Sequence, residues 1–331
     1  MIGSIPFEIP AKYAADLASG SIVRFGGLLK DASTGRIVAH LQETGSLAQR
    51  LGAQLLNVSP FDGVSAISSL AGNMQLAKIQ KTLELLQIQQ WLTLGSSLVG
   101  IGVSLAGFKM MSDRFDRLDQ RLDAFKEHID RRFDELVERD YRNHLSRVRD
   151  LLREAESAYT YRNPDDRFMR VAESLESVIS FLRSEIDHNL GKKGTRNEET
   201  IKLLWSLIEG FVTGINARVQ CLAEAGEMTA AADLSRREAE GFYRFFDGFS
   251  AVDWVNAGID PAREIETSWE RYSIQLNKLH PFENSLTEIQ SQMDSRPYLL
   301  EYLEQEQIRM SDLRGLMEQE TREPVVVLPA R

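Results

Sequence analysis

From Leu85 to Phe108 the chain carries no charged residue (LLQIQQWLTLGSSLVGIGVSLAGF). As a helix this stretch reaches roughly 36 Å at ~1.5 Å per residue, and about 20 apolar residues suffice to cross a bilayer's hydrocarbon core. Gln87, Gln89 and Gln90 confine the cleanly apolar part to Trp91–Phe108. Two faces are distinguishable there. Thr93, Ser96, Gly100, Ser104 and Gly107 recur every three or four residues, a small-residue ridge along which two helix backbones approach closely. Leu94, Leu98, Ile101, Leu105 and Phe108 form a bulky second face. Glycines at 95, 100, 102 and 107 would each cost a water-exposed helix about 1 kcal/mol relative to alanine. Packing against lipid or another helix offsets that cost. The stretch is therefore read as membrane-inserting through Trp91, Leu94, Leu98, Ile101, Leu105 and Phe108, with the small-residue ridge packing helix on helix. The alternative is the buried core helix of a large soluble bundle.

A heptad pattern grows out of this stretch. Leu94, Ile101, Phe108, Phe115, Leu122, Ile129 and Leu136 are spaced by seven, which predicts one long helix with a continuous apolar seam. Leu118 and Phe125 join Phe115, Leu122, Ile129 and Leu136 as the seam of a charged stalk. Between Ser112 and Arg142 ten acids and eight bases surround it, with acid-to-base pairs four apart at Asp113–Arg117, Glu127–Arg131, Glu135–Arg139 and Glu138–Arg142. Such pairs stabilise a helix by a few tenths of a kcal/mol each. The run RFDRLDQRLDAFKEHIDRRFDEL is similar to the charged coiled-coil stalks found beside membrane helices in bacterial proteins.

Around this axis the chain divides into five parts. Residues 1–50 form a small module in which Ser21–Gly26 and Arg36–Leu41 read as a β-hairpin joined around Asp31–Gly35, because both runs are rich in β-branched residues. Residues 51–111 are the apolar, hairpin-forming or membrane-active part, and 112–162 the stalk. Asn163, Pro164, Asp165 and Asp166 combine a capping residue, a first-turn proline and first-turn acids, a helix restart. It opens a helical bundle over 163–323, with helices expected near 165–189, 197–225, 229–248, 261–279, 284–294 and 297–321. The last three are separated at His280-Pro281 and Arg296-Pro297, because proline ends helices. Residues 324–331 form an extended tail. The fold class is mainly α: a long coiled-coil helix with a central apolar segment, a C-terminal helical bundle and a small N-terminal β-hairpin module.

Charge and composition narrow the function classes. Residues 1–111 hold eight Lys/Arg against six Asp/Glu, and residues 112–331 hold 31 against 43. Phosphate contacts require clustered cations, so the acidic part argues against nucleic acid as a partner. The single cysteine, Cys221, excludes an internal disulfide framework and a multi-cysteine zinc site. It lies on an apolar helix stripe and reads as a buried thiol. The five histidines show no metal-ligand spacing. Gly100–Gly107 has too many residues before its last glycine to match the dinucleotide-binding pattern, and it follows a helix-like run rather than a strand. No catalytic, cofactor-binding or metal-ligating residue emerges, and neither an enzyme nor a small-molecule substrate is expected. The start MIGSIPFEIP has no basic and apolar leader regions, so cytoplasmic synthesis without a signal peptide is expected, followed by association with a membrane.

The apolar segment at 51–111 and the long helices around it resemble the architecture of α-helical pore-forming toxins of the cytolysin A and haemolysin BL type. That resemblance implies a bundle that shelters an apolar segment until it inserts into a lipid bilayer and the protein oligomerises with itself or a related subunit. The expected function is thus a membrane-inserting, oligomerising helical effector that permeabilises its target. The alternative is a non-enzymatic coiled-coil scaffold or membrane-anchored adaptor whose bundle binds a partner.

Overall fold

The structure, a computed structural model, describes residues 11–43, 135–191, 198–247, 268–319 and 325–329, together with Phe108, Met111, Ser112, Phe115, Asp116, Ser250 and Val252. The described chain is mostly helical, with one small antiparallel sheet. In chain order the elements are α1 (Ala11–Ser19), β1 (Ile22–Phe25), β2 (Leu28–Asp31), β3 (Ile37–Glu43), α2 (Glu135–Ala158), α3 (Pro164–Gly191), α4 (Glu198–Glu224), α5 (Met228–Phe246), α6 (Ser268–Gln305), α7 (Met310–Gln319) and β4 (Val325–Pro329).

Helix α4 is the hub. Its apolar positions Leu204, Leu207, Ile208, Phe211, Ile215, Val219 and Cys221 are buried, and it packs on α3 most extensively, then on α5, α2 and α7. A single core runs through α2, α3, α4, α5, α6 and α7. Residues 141–158 of α2 therefore share the bundle's core on the N-terminal side of Asn163. Helix α3 starts at Pro164, with Asp165 and Asp166 in its first turn, where carboxylates complement the helix dipole. Helix α4 ends in a turn made by Gly226 at φ 85. There Glu227 N–H donates to Leu222 O at 2.9 Å and Gly226 N–H to Ala223 O at 3.1 Å, the paired bonds of a Schellman cap.

Two of the expected helix breaks are absent. Helix α6 runs unbroken from Ser268 to Gln305 through both Pro281 and Pro297, although an interior proline removes a backbone bond and costs about 3 kcal/mol. Burial offsets this: Ile289, Met293, Leu299, Leu300 and Leu303 are all in the core. The chain turns instead after Gln305, where Gln307 takes φ 54. Ile308 N–H donates to Leu303 O at 2.8 Å and Gln307 N–H to Glu304 O at 3.1 Å. This is a second Schellman cap, closed without glycine.

The N-terminal hairpin is also richer than expected. Gly26 and Gly27 turn β1 onto β2, so three strands replace the two read from sequence, and the C-terminal β4 completes the order β1-β2-β3-β4. Asp31 organises the β2–β3 turn, its Oδ1 accepting from the backbone N–H groups of Ser33 (3.0 Å) and Thr34 (2.8 Å) and from both hydroxyls. Those bonds, the Ser33 hydroxyl foremost, hold its carboxyl down at about 2. The sheet docks on α6 in three places: Gly27 N–H donates to Ser295 Oγ at 3.1 Å, His40 stacks on Tyr302, and the Lys30 ammonium lies 5.3 Å from the Tyr298 ring centre.

A Cβ at Gly26 would fall 2.4 Å from Ser291 O, and Gly26 has φ +54; Gly226 has open space around it. Both positions are strained for alanine by their left-handed backbone, but only Gly26 adds a clash with a neighbouring helix. Gly26→Ala is therefore expected to cost at least about 1 kcal/mol more than Gly226→Ala. Urea denaturation of the two variants checks this ordering, and equal midpoints would show that the sheet does not sit on α6 as described.

Candidate functional site

One end of α4 gathers the chemistry. Glu224 is its last residue, and its side chain is only 5% exposed. An ionised carboxylate so enclosed needs partners, and two elements supply them. Tyr159, in the turn that follows α2, donates its hydroxyl to Glu224 Oε1 at 2.6 Å. Arg314 on α7 donates to Oε2 at 3.3 Å. The Arg314 guanidinium also lies 4.0 Å from the Tyr159 ring centre, adding a cation–π contact. Burial pushes the Glu224 carboxyl up, opposed by the Tyr159 bond, the Arg314 charge and a bond from Gln220. Burial raises the Tyr159 phenol as well, helped by the adjacent carboxylate.

The same tyrosine holds an aromatic cluster. Its ring meets Phe168 of α3 edge-on at 5.1 Å and Phe108 at 6.2 Å, and Phe108 stacks on Phe168 at 5.7 Å. Phe108 is 1% exposed, and Met111 and Phe115 are buried in the same core. The terminal residue of the uncharged stretch thus sits inside the bundle. Asp116 continues the contact by accepting from Arg153 of α2 at 3.0 Å.

Of the residues singled out from sequence, the structure brings Phe108 and Phe115 together in one core. Both belong to the heptad series. Leu136 lies on the first turn of α2. Trp91, Thr93, Leu94, Ser96, Leu98, Gly100, Ile101, Ser104, Leu105 and Gly107 lie outside the described residues, as do the seam positions Leu118, Leu122, Phe125 and Ile129. Among the described residues no helix is long and apolar enough to cross a membrane. Tyr159, Glu224 and Arg314 were not legible as partners, because they lie far apart in sequence and each looks like an ordinary polar residue. A hint was available in α4 itself, where Glu209, Thr213, Asn216 and Gln220 lie on successive turns and are all buried.

Cys221, one turn before Glu224, is fully buried, and burial together with Glu224 and Glu154 pushes its thiol up. The thiolate is the nucleophile, and burial disfavours it here. Among the described residues no group of His, Cys, Asp and Glu is placed to hold a metal ion. A shallow cleft between α5 and α6, of ≈ 180 Å³, is lined by Phe242, Tyr243, Phe246, Glu283, Leu286, Thr287 and Gln290. It is smaller than the roughly 300 Å³ at which ligand pockets begin. Comparison with protein-family models, curated proteins and solved structures finds no match.

A second polar group is buried where the sheet meets α6. His40 is 2% exposed, its ring stacked at 4.8 Å on Tyr302. Burial lowers its imidazole from 6.5 to about 4, so the docked sheet favours the neutral ring. The contribution of His40 to stability is then complete above about pH 6.5 and lost as the pH falls toward 4. His40→Phe keeps an aromatic ring against Tyr302 and removes the titration. The difference in melting temperature between wild type and His40→Phe is expected to change across pH 6.5 to 4, with wild type losing more. A constant difference over that window would show that His40 is solvated.

Proposed function

We propose that the chain is a membrane-associating, oligomerising α-helical effector whose output is permeabilisation of a lipid bilayer. The reading rests on the uncharged Leu85–Phe108 stretch, whose last residue is seated in the bundle's core at 1% exposure. That contact has the character of a sheltered end: apolar, aromatic, and held by a few polar ties. In the bilayer the small-residue ridge of Thr93, Ser96, Gly100, Ser104 and Gly107 packs helix on helix, while Trp91, Leu94, Leu98, Ile101, Leu105 and Phe108 meet lipid. The heptad seam from Phe115 to Leu136 serves as the coiled-coil stalk between copies or with a related subunit. Cytoplasmic synthesis followed by passage from water to membrane fits this scheme. It is non-enzymatic, and its partners are lipid and protein.

A second reading is favoured by the same burial of Phe108. If the whole stretch continues as core, the protein is a coiled-coil scaffold or adaptor that presents the acidic bundle to a partner. Two substitutions separate the readings. Gly100→Leu keeps the stretch apolar but removes close helix approach, whereas Ile101→Asp blocks insertion at a cost of about 2.5–3.5 kcal/mol. Wild type is expected to float with liposomes and release trapped dye. Gly100→Leu should float without releasing dye, and Ile101→Asp should do neither. Wild type that floats but never leaks is an anchored adaptor, and wild type that does neither is a scaffold.

A further inference from the structure

We propose that the C-terminal segment formed by α7 and β4 is a strap that holds both flanks of the apolar part of the chain: β3 on one side and Phe108 on the other. Two sets of contacts made by this one short segment carry the inference. β4 pairs antiparallel with β3 along its length, from Ala39 opposite Pro329 to Glu43 opposite Val325. Glu43 is the last residue of β3, and the weakly charged region begins soon after it, at Leu51. At the other end, Met310 and Leu313 anchor α7 in the bundle core. From there Arg314 reaches Glu224 and covers the Tyr159 ring, and that ring packs on Phe108. Gln319 and Val325 are six positions apart, a link of at most about 21 Å. Displacing β4 beyond that reach must pull on α7.

Each hold has one side open to water. Among the described residues β4 is an edge strand, paired on one side alone. The Arg314 side chain is 33% exposed, so water can replace it at the carboxylate. Elements at the edge of a fold open ahead of the global core. Because β4 and α7 are joined by that short link, loosening the strap at either end loosens its hold on both β3 and Phe108. The strap depends on the membrane reading only for what its release achieves, which is to let the apolar stretch reach a bilayer.

Hydrogen exchange on the full chain tests this. Adjacent residues of an antiparallel strand point their N–H groups in opposite directions. The double variant Val326→Pro/Val327→Pro therefore removes one donor that faces β3, whichever register side it occupies. Arg314→Ala loosens the other end. Each variant is expected to raise exchange tenfold or more at both ends: in residues 37–43, and in the peptide spanning Phe108 and Phe115, which β4 does not touch. Protection of α3 should stay as in wild type, and if one variant loses it the other decides alone. Exchange that rises only beside each substitution, or nowhere, overturns the strap whatever the membrane assay shows. A rise at both ends with no gain in flotation on phosphatidylglycerol liposomes supports the strap and counts against the membrane reading.

Discussion

A carboxylate taken out of water at the end of α4 sets the terms for the rest of the bundle. Glu224 is held by Tyr159 and Arg314, at 2.6 and 3.3 Å, while burial pushes its carboxyl up. A carboxyl group so enclosed needs hydrogen-bond partners, and this one draws them from three elements. The turn after α2 must present Tyr159, the last turn of α4 must present Glu224, and α7 must lie across both. Phe108 then has a place to go, because the tyrosine ring and Phe168 form its aromatic seat. The partly exposed Arg314 is the replaceable member, and that makes the arrangement a closure as well as a core.

The sheet repeats this logic with weaker forces. Its two chain ends come from opposite extremes of the sequence, β1 to β3 from residues 22–43 and β4 from 325–329. One face carries the small cluster of Leu29, Ala39 and Leu41 against Tyr13 and Leu17 of α1, while Gly26, Lys30 and His40 engage α6. A hairpin this small is marginal alone, and its stability is borrowed from α6 and from β4. The last strand therefore matters to the first module.

Local signals that act within a few residues were legible in sequence. Pro164 marked the start of α3, where its fixed φ and missing N–H suit the first turn, and the end expected for α4 at 225 falls beside Gly226, which takes a left-handed backbone there. The strands at 22–25 and 37–43 followed from their β-branched residues. What was missed depends on contacts distant in sequence. Pro281 and Pro297 read as helix ends, yet burial of α6 overrides them. The true end of α6 is closed by Gln307 in a left-handed conformation where glycine would have been the usual sign, with buried Leu303 on one side of the turn and half-buried Ile308 on the other. Strand β2, LLKD, has no β-branched residue, so only the Gly26-Gly27 turn marks it locally. The Tyr159–Glu224–Arg314 contact had no sequence signature, since its members are separated by 65 and 90 residues.

The bundle holds the end of the uncharged stretch, Phe108, in its core. Thiol labelling of Met111→Cys in a Cys221→Ala background tests it most directly, because Met111 is 1% exposed and neighbours Phe108. In buffer the new thiol should react more than about 100-fold slower than in denaturant, as expected where opening costs roughly 3 kcal/mol. A thiol that reacts equally fast in both would place this segment in water and contradict the account.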